Sequence, residues 1–252
     1  MNIAIVTGAS SGMGREFVLQ IAKRYSKLNE IWVIARRKEK LMELSKETGV
    51  NLRIFDLDLC RPEGVMEIQN ALEYDNPNVR LLVNSAGAGL LSDFTDGKSA
   101  EWEALIDLNC KVLTTMTHLV LPYMKKGARI IQLASAAAFV PQPGFNVYAA
   151  TKSYVLSFAR ALRAELSDRE ISVTTVCPGP VKTEFFQVAD PDNRTKFFKK
   201  MLMADPKKVV KCALNDAKIG KEISVYGIGM KVFFVLTKIL PHKFFIKIMR
   251  YS

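Results

Sequence analysis

The sequence of 252 residues has few of the side chains from which metal centres and disulfide frameworks are built. It contains two histidines and four cysteines, and Cys60, Cys110, Cys177 and Cys212 lie at least 35 residues apart. Without a CxxC pair, neither a zinc site of ordinary spacing nor a disulfide scaffold is expected. This cysteine usage favours a reducing, cytoplasmic compartment.

Targeting signals and long hydrophobic runs are missing as well. Met1 leads directly into an apolar segment without a charged region or a small-residue cleavage site, so we expect no signal peptide. No uninterrupted apolar run reaches the roughly 18–20 residues of a membrane-spanning helix. There is no linker, repeat or low-complexity stretch, and 49% of the residues are hydrophobic. We therefore expect one domain over residues 1–252.

Short apolar segments alternate with segments of helical period along the chain. Six of them predict strands, at 2–7, 30–35, 51–57, 79–84, 128–135 and 171–177, and 222–226 is a weaker seventh. Continuous apolar strands between amphipathic helices are typical of a parallel sheet with helices on both faces. The pattern predicts an α/β fold, a Rossmann-type doubly wound sheet of about seven strands. Ligands of such sheets bind beyond the carboxyl ends of the strands.

The first predicted strand ends in a glycine-rich turn that opens a helix. Glycines let the backbone approach a pyrophosphate closely, and a helix N-terminus offers free N–H groups and a positive dipole end. The position after strand one favours dinucleotide binding over an ordinary turn. The residues expected to hold the dinucleotide are Gly8, Ser10, Ser11, Gly12, Met13 and Gly14.

The second predicted strand ends before a basic cluster, Arg36-Arg37-Lys38, which we expect to begin the next helix. An acidic residue at this place bonds the free 2′-hydroxyl of NAD(H), whereas arginine accepts the 2′-phosphate of NADP(H). No carboxylate occurs between Glu30 and Glu39. NADP(H) is therefore favoured, with Arg36 as first choice and Arg37 as second. NAD(H) with a solvated basic cap is the alternative.

Tyr148 and Lys152 lie four residues apart in a helical segment, so their side chains share one face. A nearby cation stabilises a phenolate and lowers its pKa towards the range useful for acid–base catalysis. Ser135 ends the fifth predicted strand, thirteen residues before Tyr148. Each feature alone also fits an ordinary helix surface or turn.

Taken together, these motifs resemble the classical short-chain dehydrogenase/reductase family over residues 2–226. The matching elements are Thr7-Gly8 to Gly14, Asp58-Leu59, Asn84-Ser85-Ala86-Gly87, Asn109, Ser135, Tyr148 with Lys152, and Pro178-Gly179 with Thr183. The resemblance implies that Tyr148 exchanges a proton with the substrate oxygen and that Lys152 lowers its pKa and holds the nicotinamide ribose. It also implies that Ser135 bonds the substrate and that Asn109 kinks its helix and holds a relay water.

The same resemblance implies further cofactor contacts. Asp58 and Leu59 correspond to adenine contacts, and Asn84, Ala86 and Gly87 to the strand-four motif that steadies the sheet beside the cofactor. The loop over the nicotinamide carboxamide corresponds to Pro178, Gly179, Val181 and Thr183. Two departures from the family pattern occur. Ser85 replaces the usual asparagine, and Ser10-Ser11 stand where some NADP-preferring relatives carry a basic residue.

The resemblance implies an NADP(H)-dependent oxidoreductase that interconverts a ketone or aldehyde and an alcohol of a small-molecule substrate. A homo-oligomer, dimer or tetramer, is expected. One alternative is a catalytically silent NADP(H)-binding regulatory protein, and another is a sugar-nucleotide epimerase or dehydratase. Residues 184–205 correspond to the family's substrate lid. Their apolar side chains suit a lipophilic substrate such as a steroid or acyl carbonyl.

The sequence ends in a basic, apolar C-terminal extension, residues 227–252, and more than half of the net charge of +11 lies from Lys218 onward. From Lys218 to Ser252 the chain contains seven basic residues and one acidic residue, Glu222, which gives a net charge of 7 − 1 = +6. Pro241 divides the segment into two short helical pieces. Residues 229–252 fit peripheral contact with an anionic membrane, but packing over the pocket or against another subunit is the preferred reading. Without a basic groove or base-stacking module, no nucleic-acid binding is expected.

Overall fold

The computed structural model describes residues 1–190 and 203–250, except the side chain of Arg250. These residues form one seven-stranded parallel sheet in the order β3-β2-β1-β4-β5-β6-β7. The strands are β1 Asn2–Thr7, β2 Glu30–Ile34, β3 Leu52–Phe55, β4 Asn78–Asn84, β5 Arg129–Leu133, β6 Ser172–Val176 and β7 Ile223–Ser224. The strand order reverses beside β1, which makes the β1–β4 boundary the place where doubly wound sheets bind nucleotides. The predicted Rossmann-type fold is confirmed.

Ten α-helices connect or follow the strands in the described part of the chain. They are α1 Gly12–Arg24, α2 Lys38–Thr48, α3 Pro62–Asp75, α4 Ser99–Ile106, α5 Leu113–Val120, α6 Asn146–Glu165, α7 Phe185–Ala189, α8 Pro206–Lys218, α9 Ile228–Ile239 and α10 His242–Arg250. Local sequence sets several of these bounds. The Asp205 side chain accepts a hydrogen bond from the backbone N–H of Lys207 at 2.8 Å, and Pro206 occupies the first position of α8.

The sheet separates two hydrophobic cores, because successive side chains of a strand point to opposite faces. Ile3 and Ile5 of β1 lie in one core, and Ala4 and Val6 lie in the other. The first core is covered by α3, α5 and α6 through Ile68, Leu72, Met116, Val120 and Leu162. The second is covered by α1, α2 and α8 through Phe17, Ile21, Leu41, Leu44, Val210 and Leu214. Helices on both faces leave the carboxyl edge of the sheet open for a ligand.

One apolar helical stretch, Ser99–Tyr123, is the single candidate in the described residues for crossing a membrane by length and composition. Its residues Val112, Met116 and Val120 are buried in the first core. We therefore assign the stretch to the core of the domain.

The second helix begins later than the sequence predicts. Arg36 and Arg37 lie outside α2, which starts at Lys38, and Arg37 is its N-cap with an extended backbone (φ −96°, ψ 92°). Cations in the first turn oppose the helix dipole, and exclusion of two of them from the helix reduces that conflict. Pro241 separates α9 from α10 as predicted. Of the lid expected at 184–205, residues 191–202 lie outside the described residues.

Candidate active site

The glycine loop leaves no space for side chains where the backbone turns. Gly8 has φ +68°, and a Cβ there would lie 2.8 Å from the Ala86 Cα. A Cβ on Gly14 would lie 2.2 Å from the Gly8 carbonyl oxygen. Helix α1 starts at Gly12 without a side-chain cap from Ser11 and without an acidic residue in its first turn. A backbone cradle at an uncapped helix N-terminus fits the pyrophosphate of a dinucleotide.

Buried polar contacts hold the carboxyl ends of the central strands together beside this loop. Thr7 Oγ1 at the end of β1 accepts hydrogen bonds from the backbone N–H groups of Ser85 and Ala86, both at 3.1 Å. Asn84 Nδ2 donates to Gln132 Oε1 at 3.0 Å, which joins β4 to β5. Since Ser85 takes part through its backbone, its difference from the usual asparagine leaves the contact intact.

Basic side chains gather at the end of β2, but the two predicted arginines differ. Arg37 donates from Nε and Nη2 to Ser10 Oγ at 3.3 and 3.2 Å, and from Nη1 to Glu184 Oε2 at 2.9 Å. Lys40 Nζ donates to Glu184 Oε1 at 2.7 Å. Arg36 is exposed and forms no ion pair with the rest of the described chain. Arg37 therefore brings positive charge to a loop that lacks a basic residue of its own.

Helix α6 and the end of β5 bring Ser135, Tyr148 and Lys152 together. Tyr148 and Lys152 are 7% and 4% exposed, one helical turn apart. Lys152 Nζ donates to the Leu133 carbonyl at 2.9 Å and lies 5.6 Å from the centroid of the Tyr148 ring. The Ser135 hydroxyl accepts a hydrogen bond from the Ala137 N–H at 3.1 Å and lies close enough to the phenol to lower the pKa of Tyr148. A proton donor, a cation and a hydroxyl thus meet at the carboxyl edge of the sheet.

Burial controls the ionisation of this pair. It raises the pKa of Tyr148 to about 12, and the nearby Ser135 hydroxyl offsets only part of the shift. Burial likewise lowers the pKa of Lys152 to about 8. Desolvation of the phenolate dominates the pKa of Tyr148 in this structure, and the lowering of that pKa by Lys152 stays a prediction. A phenol that stays protonated at neutral pH is set to donate a proton.

Asn109 lies in a π-helical turn, Asp107–Val112, between α4 and α5. Its amide donates to the Ala88 carbonyl at 2.9 Å and to Thr151 Oγ1 at 3.0 Å, and Asn109 Oδ1 accepts from the Ala88 N–H at 3.0 Å. A Cβ on Gly87 would approach Asn109 Oδ1 to 3.1 Å and Lys152 Nζ to 3.3 Å. The wider π turn thus directs Asn109 to the same point as Lys152.

The loop after β6 closes over this edge. The Pro178 carbonyl accepts a hydrogen bond from the Ala136 N–H at 2.8 Å, next to Ser135. Thr183 packs on the glycine loop, 3.4 Å from the position of a Cβ on Gly12. Val181 is buried between them. The loop therefore spans from the Ser135 side of the cleft to the glycine loop.

Asp58 and Leu59, which we expect to contact adenine, also take part in the packing and turns of the fold itself. Asp58 Oδ1 accepts a hydrogen bond from the Cys60 N–H at 3.0 Å, which stabilises the turn after β3. The Leu59 side chain is buried in the first core, so a ligand would meet its backbone rather than its side chain.

Sequence reasoning missed two charged residues of the cleft, Lys40 and Glu184. They are 144 residues apart, and neither belongs to a motif of fixed spacing. The order Thr183-Glu184 at the end of the Pro-Gly loop was the available signal, but the partner of the carboxylate depends on how α2 packs.

Comparison with known proteins agrees with this geometry. The family model described as short chain dehydrogenase matches residues 2–194. The chain belongs to the short-chain dehydrogenase family. As a member of that family it is an oxidoreductase, and the recognition made from its motifs is confirmed.

Relatives of this short-chain dehydrogenase include two proteins that are named for a specific enzymatic activity. Sulfoacetaldehyde reductase 2 of Chromohalobacter salexigens is 36% identical over 191 residues, 73% of this chain and 74% of the relative. The NADP-dependent 3-hydroxy acid dehydrogenase YdfG of Escherichia coli K12 is 38% identical over 194 residues, 74% of this chain and 75% of the relative. A short-chain dehydrogenase from Sphingobium yanoikuyae, solved in complex with NADPH, has a TM-score of 0.80 at 25% identity and covers 94% of this chain and 92% of its own.

Proposed function

We propose that this short-chain dehydrogenase uses NADP(H) to interconvert a ketone or aldehyde and the corresponding alcohol. The observation that carries the proposal is the group formed by Ser135 with the buried Tyr148 and Lys152 beside the glycine loop. Arg36 and Arg37 at the end of β2 support NADP(H) over NAD(H), because arginine suits a phosphate. The two relatives that are named for a reductase and an NADP-dependent dehydrogenase support it as well.

The proposed chemistry assigns a role to each side chain. A bound nicotinamide would supply or accept the hydride. The Ser135 hydroxyl bonds the substrate oxygen and orients the carbonyl. Tyr148 Oη passes its proton to that oxygen during reduction and takes it back during oxidation. Lys152 offers a positive charge to the ribose hydroxyls and to the phenolate left after proton transfer.

Apolar surroundings of Tyr148 support a lipophilic substrate. The Phe145 ring stacks on the phenol at 4.2 Å between centroids, and the Phe185 ring lies at 5.5 Å. Ala137 and Ala149 complete this cluster. Aromatic walls exclude water and favour an apolar carbonyl such as a steroid or an acyl carbonyl over a charged one.

A substrate panel tests the proposal. NADPH oxidation should be measured with bulky ketones, steroids, acyl carbonyls, 3-hydroxy acid precursors and sulfoacetaldehyde. Turnover of the apolar carbonyls supports the proposal, and turnover of only the charged ones contradicts the proposed substrate class. Binding of NADPH without any turnover would favour the silent regulatory alternative. The presence of Ser135, Tyr148, Lys152 and Asn109 argues against that outcome.

Exchange of Arg36 for aspartate should shift cofactor preference from NADP(H) towards NAD(H). A carboxylate repels the 2′-phosphate and can bond the free ribose hydroxyl. Loss of one charge-assisted hydrogen bond predicts a fall of about 10–100-fold in kcat/KM for NADPH relative to NADH. The matched variant is Arg37→Asp, because both arginines were predicted. If the ratio of kcat/KM for NADPH to that for NADH is unchanged in R36D but changes in R37D, Arg36 is only a solvated residue before α2, and Arg37 recognises the phosphate.

The C-terminal extension presents two different faces. Met230 of α9 approaches Gly179, with its Sδ 2.7 Å from the position of a Cβ there. Phe233 and Phe234 contact Phe139 at 6.5 and 4.7 Å between ring centroids. These inner contacts support the preferred interpretation, in which the C-terminal extension packs beside the pocket.

The outer face of α9 and α10 carries exposed apolar side chains between lysines. The apolar ones are Ile228, Val232, Val235, Leu236, Ile239, Phe244 and Ile248, and the lysines are Lys231, Lys238, Lys243 and Lys247. Two such basic faces would repel each other in a symmetric dimer, whereas an anionic lipid surface would attract each. We propose a cytoplasmic protein whose outer face contacts such a membrane peripherally.

Sedimentation with liposomes tests the outer face. Each lysine near an anionic surface contributes about 1 kcal/mol and is screened within roughly a Debye length. We expect binding to phosphatidylserine-containing vesicles that falls steeply as salt rises, and none to neutral vesicles. The variant with Lys231, Lys238, Lys243 and Lys247 replaced by glutamine should lose this binding, while the contacts of Phe233 and Phe234 with Phe139 stay. Vesicle binding that does not change with salt concentration, or no vesicle binding by the intact protein, would contradict the proposal.

We also propose a homo-oligomer, a dimer or a tetramer. Exposed apolar side chains away from the extension support it, among them Ile106 on α4 and Tyr154 on α6. Sedimentation velocity of the full chain measures the assembly state directly.

A further inference from the structure

Glu184 joins two elements on opposite sides of the cleft. It directly follows Thr183, which packs on the glycine loop, and precedes α7. Its two carboxylate oxygens accept hydrogen bonds from Arg37 Nη1 at 2.9 Å and Lys40 Nζ at 2.7 Å. Arg37 and Lys40 belong to the N-cap and first turn of α2. The loop after β6 is thereby held to the segment in which a 2′-phosphate would be recognised.

The contacts of Glu184 are those that a phosphate would make. An arginine fork and a lysine ammonium are the usual partners of phosphate oxygens, and here both donate to one carboxylate. The remaining nitrogens of Arg37 point to Ser10 in the glycine loop. Both hydrogen bonds lower the pKa of the Glu184 carboxyl, so the group is ionised at neutral pH. A 2′-phosphate that reached Arg37 would meet this negative charge.

We propose that Glu184 competes with the 2′-phosphate of NADP(H) for Arg37 and Lys40 and thereby sets how strongly the enzyme prefers NADP(H) over NAD(H). This inference rests on the proposed cofactor. When NADP(H) binds, the carboxylate gives up at least one of its two cations to the phosphate. When NAD(H) binds, no phosphate is present and the ion pairs remain. Cofactor choice is therefore linked to the attachment of the loop that leads into α7.

The variant Glu184→Gln separates charge competition from a purely structural contact. Glutamine keeps the size and one acceptor oxygen but removes the negative charge. Exposed ion pairs are weak, and release of two cations from them predicts about twofold to thirtyfold tighter NADPH binding. NADH binding should change by less than about twofold. Both dissociation constants can be measured by the fluorescence of the reduced nicotinamide on the full chain.

A matched control is available at the other edge of the sheet. Glu222 is 46% exposed, as Glu184 is 44% exposed, and it accepts a hydrogen bond from Arg160 Nε at 2.7 Å. Glu222→Gln therefore removes the same charge from a similar arginine pair and should leave both cofactor affinities unchanged. In an Arg37→Gln background, the gain from Glu184→Gln should shrink, because the two residues share one contact.

The outcomes separate this inference from the proposed function. If wild-type protein binds NADPH and Glu184→Gln tightens NADPH but not NADH, the inference stands. Equal effects on the two cofactors, or weaker binding of both, overturn it, because Glu184 then acts as a clamp rather than as a competitor. If wild-type protein binds neither cofactor, the proposed function itself fails.

Discussion

Replacement of Tyr148 by phenylalanine should lower kcat by about 10²–10⁴-fold, the usual effect of losing a positioned general acid. The substitution removes only the hydroxyl, and the ring keeps its stacking on Phe145. NADPH affinity should stay within a few-fold, because the glycine loop and Arg37 are untouched. Stopped assays of NADPH oxidation and fluorescence titration measure the two quantities separately.

Tyr154→Phe on the same helix is the matched control. Tyr154 is 42% exposed, and its hydroxyl pairs with Thr114 Oγ1 at 2.8 Å, away from Ser135. Its removal should leave kcat close to that of the wild type. Retention of a tenth or more of wild-type kcat by Tyr148→Phe would contradict the assignment of Tyr148 as the proton donor.

Replacement of Lys152 by methionine should also abolish turnover, by at least about 10²-fold. The cation is then missing from the phenolate and from the ribose hydroxyls. Methionine fills a similar volume, so a folded protein is expected even though the Leu133 carbonyl loses its donor. Circular dichroism checks the fold, and Lys152→Arg checks whether charge alone restores activity.

The Lys152→Met variant should also change how the free energy of unfolding depends on pH, and this effect is independent of catalysis. The pKa of Lys152 is lowered to about 8 by burial, below the value of about 10.4 in the unfolded chain. Between these values the unfolded state binds more protons, so the free energy of unfolding contributed by Lys152 rises with pH. The stability of wild type relative to K152M should increase by about 2 kcal/mol from pH 7 to pH 9.5.

Urea unfolding at both pH values measures this difference. The range ends below pH 10, before Tyr148 titrates in the unfolded chain. A buried cation is destabilising at neutral pH, and we expect K152M to gain from its removal there. A relative stability that stays constant or falls over this range would show that the ammonium of Lys152 is not desolvated in the folded state.

Local sequence predicted the elements of the sheet well, because strands buried on both faces appear as continuous apolar runs. Six predicted strands lie within three residues of the observed bounds, and β7 is shorter, with two residues. The glycine loop was readable for a similar reason. Gly8 and Gly12 have positive φ and a Cβ on Gly14 would meet the Gly8 carbonyl oxygen, so part of the requirement for glycine arises within seven residues, while the clash of a Gly8 Cβ with Ala86 depends on the fold.

The candidate catalytic group of Ser135, Tyr148 and Lys152 could be predicted from the sequence only in part. Helical spacing predicted that Tyr148 and Lys152 share a face, and the end of a strand predicted that Ser135 lies at the carboxyl edge. Their pKa values could not be predicted from spacing. Burial depends on what the Phe145 and Phe185 rings and the β5 backbone cover, and it raises the pKa of Tyr148.

The sequence by itself determined the sheet, the glycine loop, the basic pair after β2 and which residues are candidates for acid–base chemistry. Each of these can be predicted from patterns formed by residues close in the chain. Only the tertiary structure decided which arginine reaches Ser10, that Glu184 holds Arg37 and Lys40, and how far Tyr148 and Lys152 are desolvated. Charge pairing and burial depend on how separate elements pack against one another, in the case of Glu184 with Arg37 and Lys40 across more than a hundred residues, and no local period in the sequence encodes those distances.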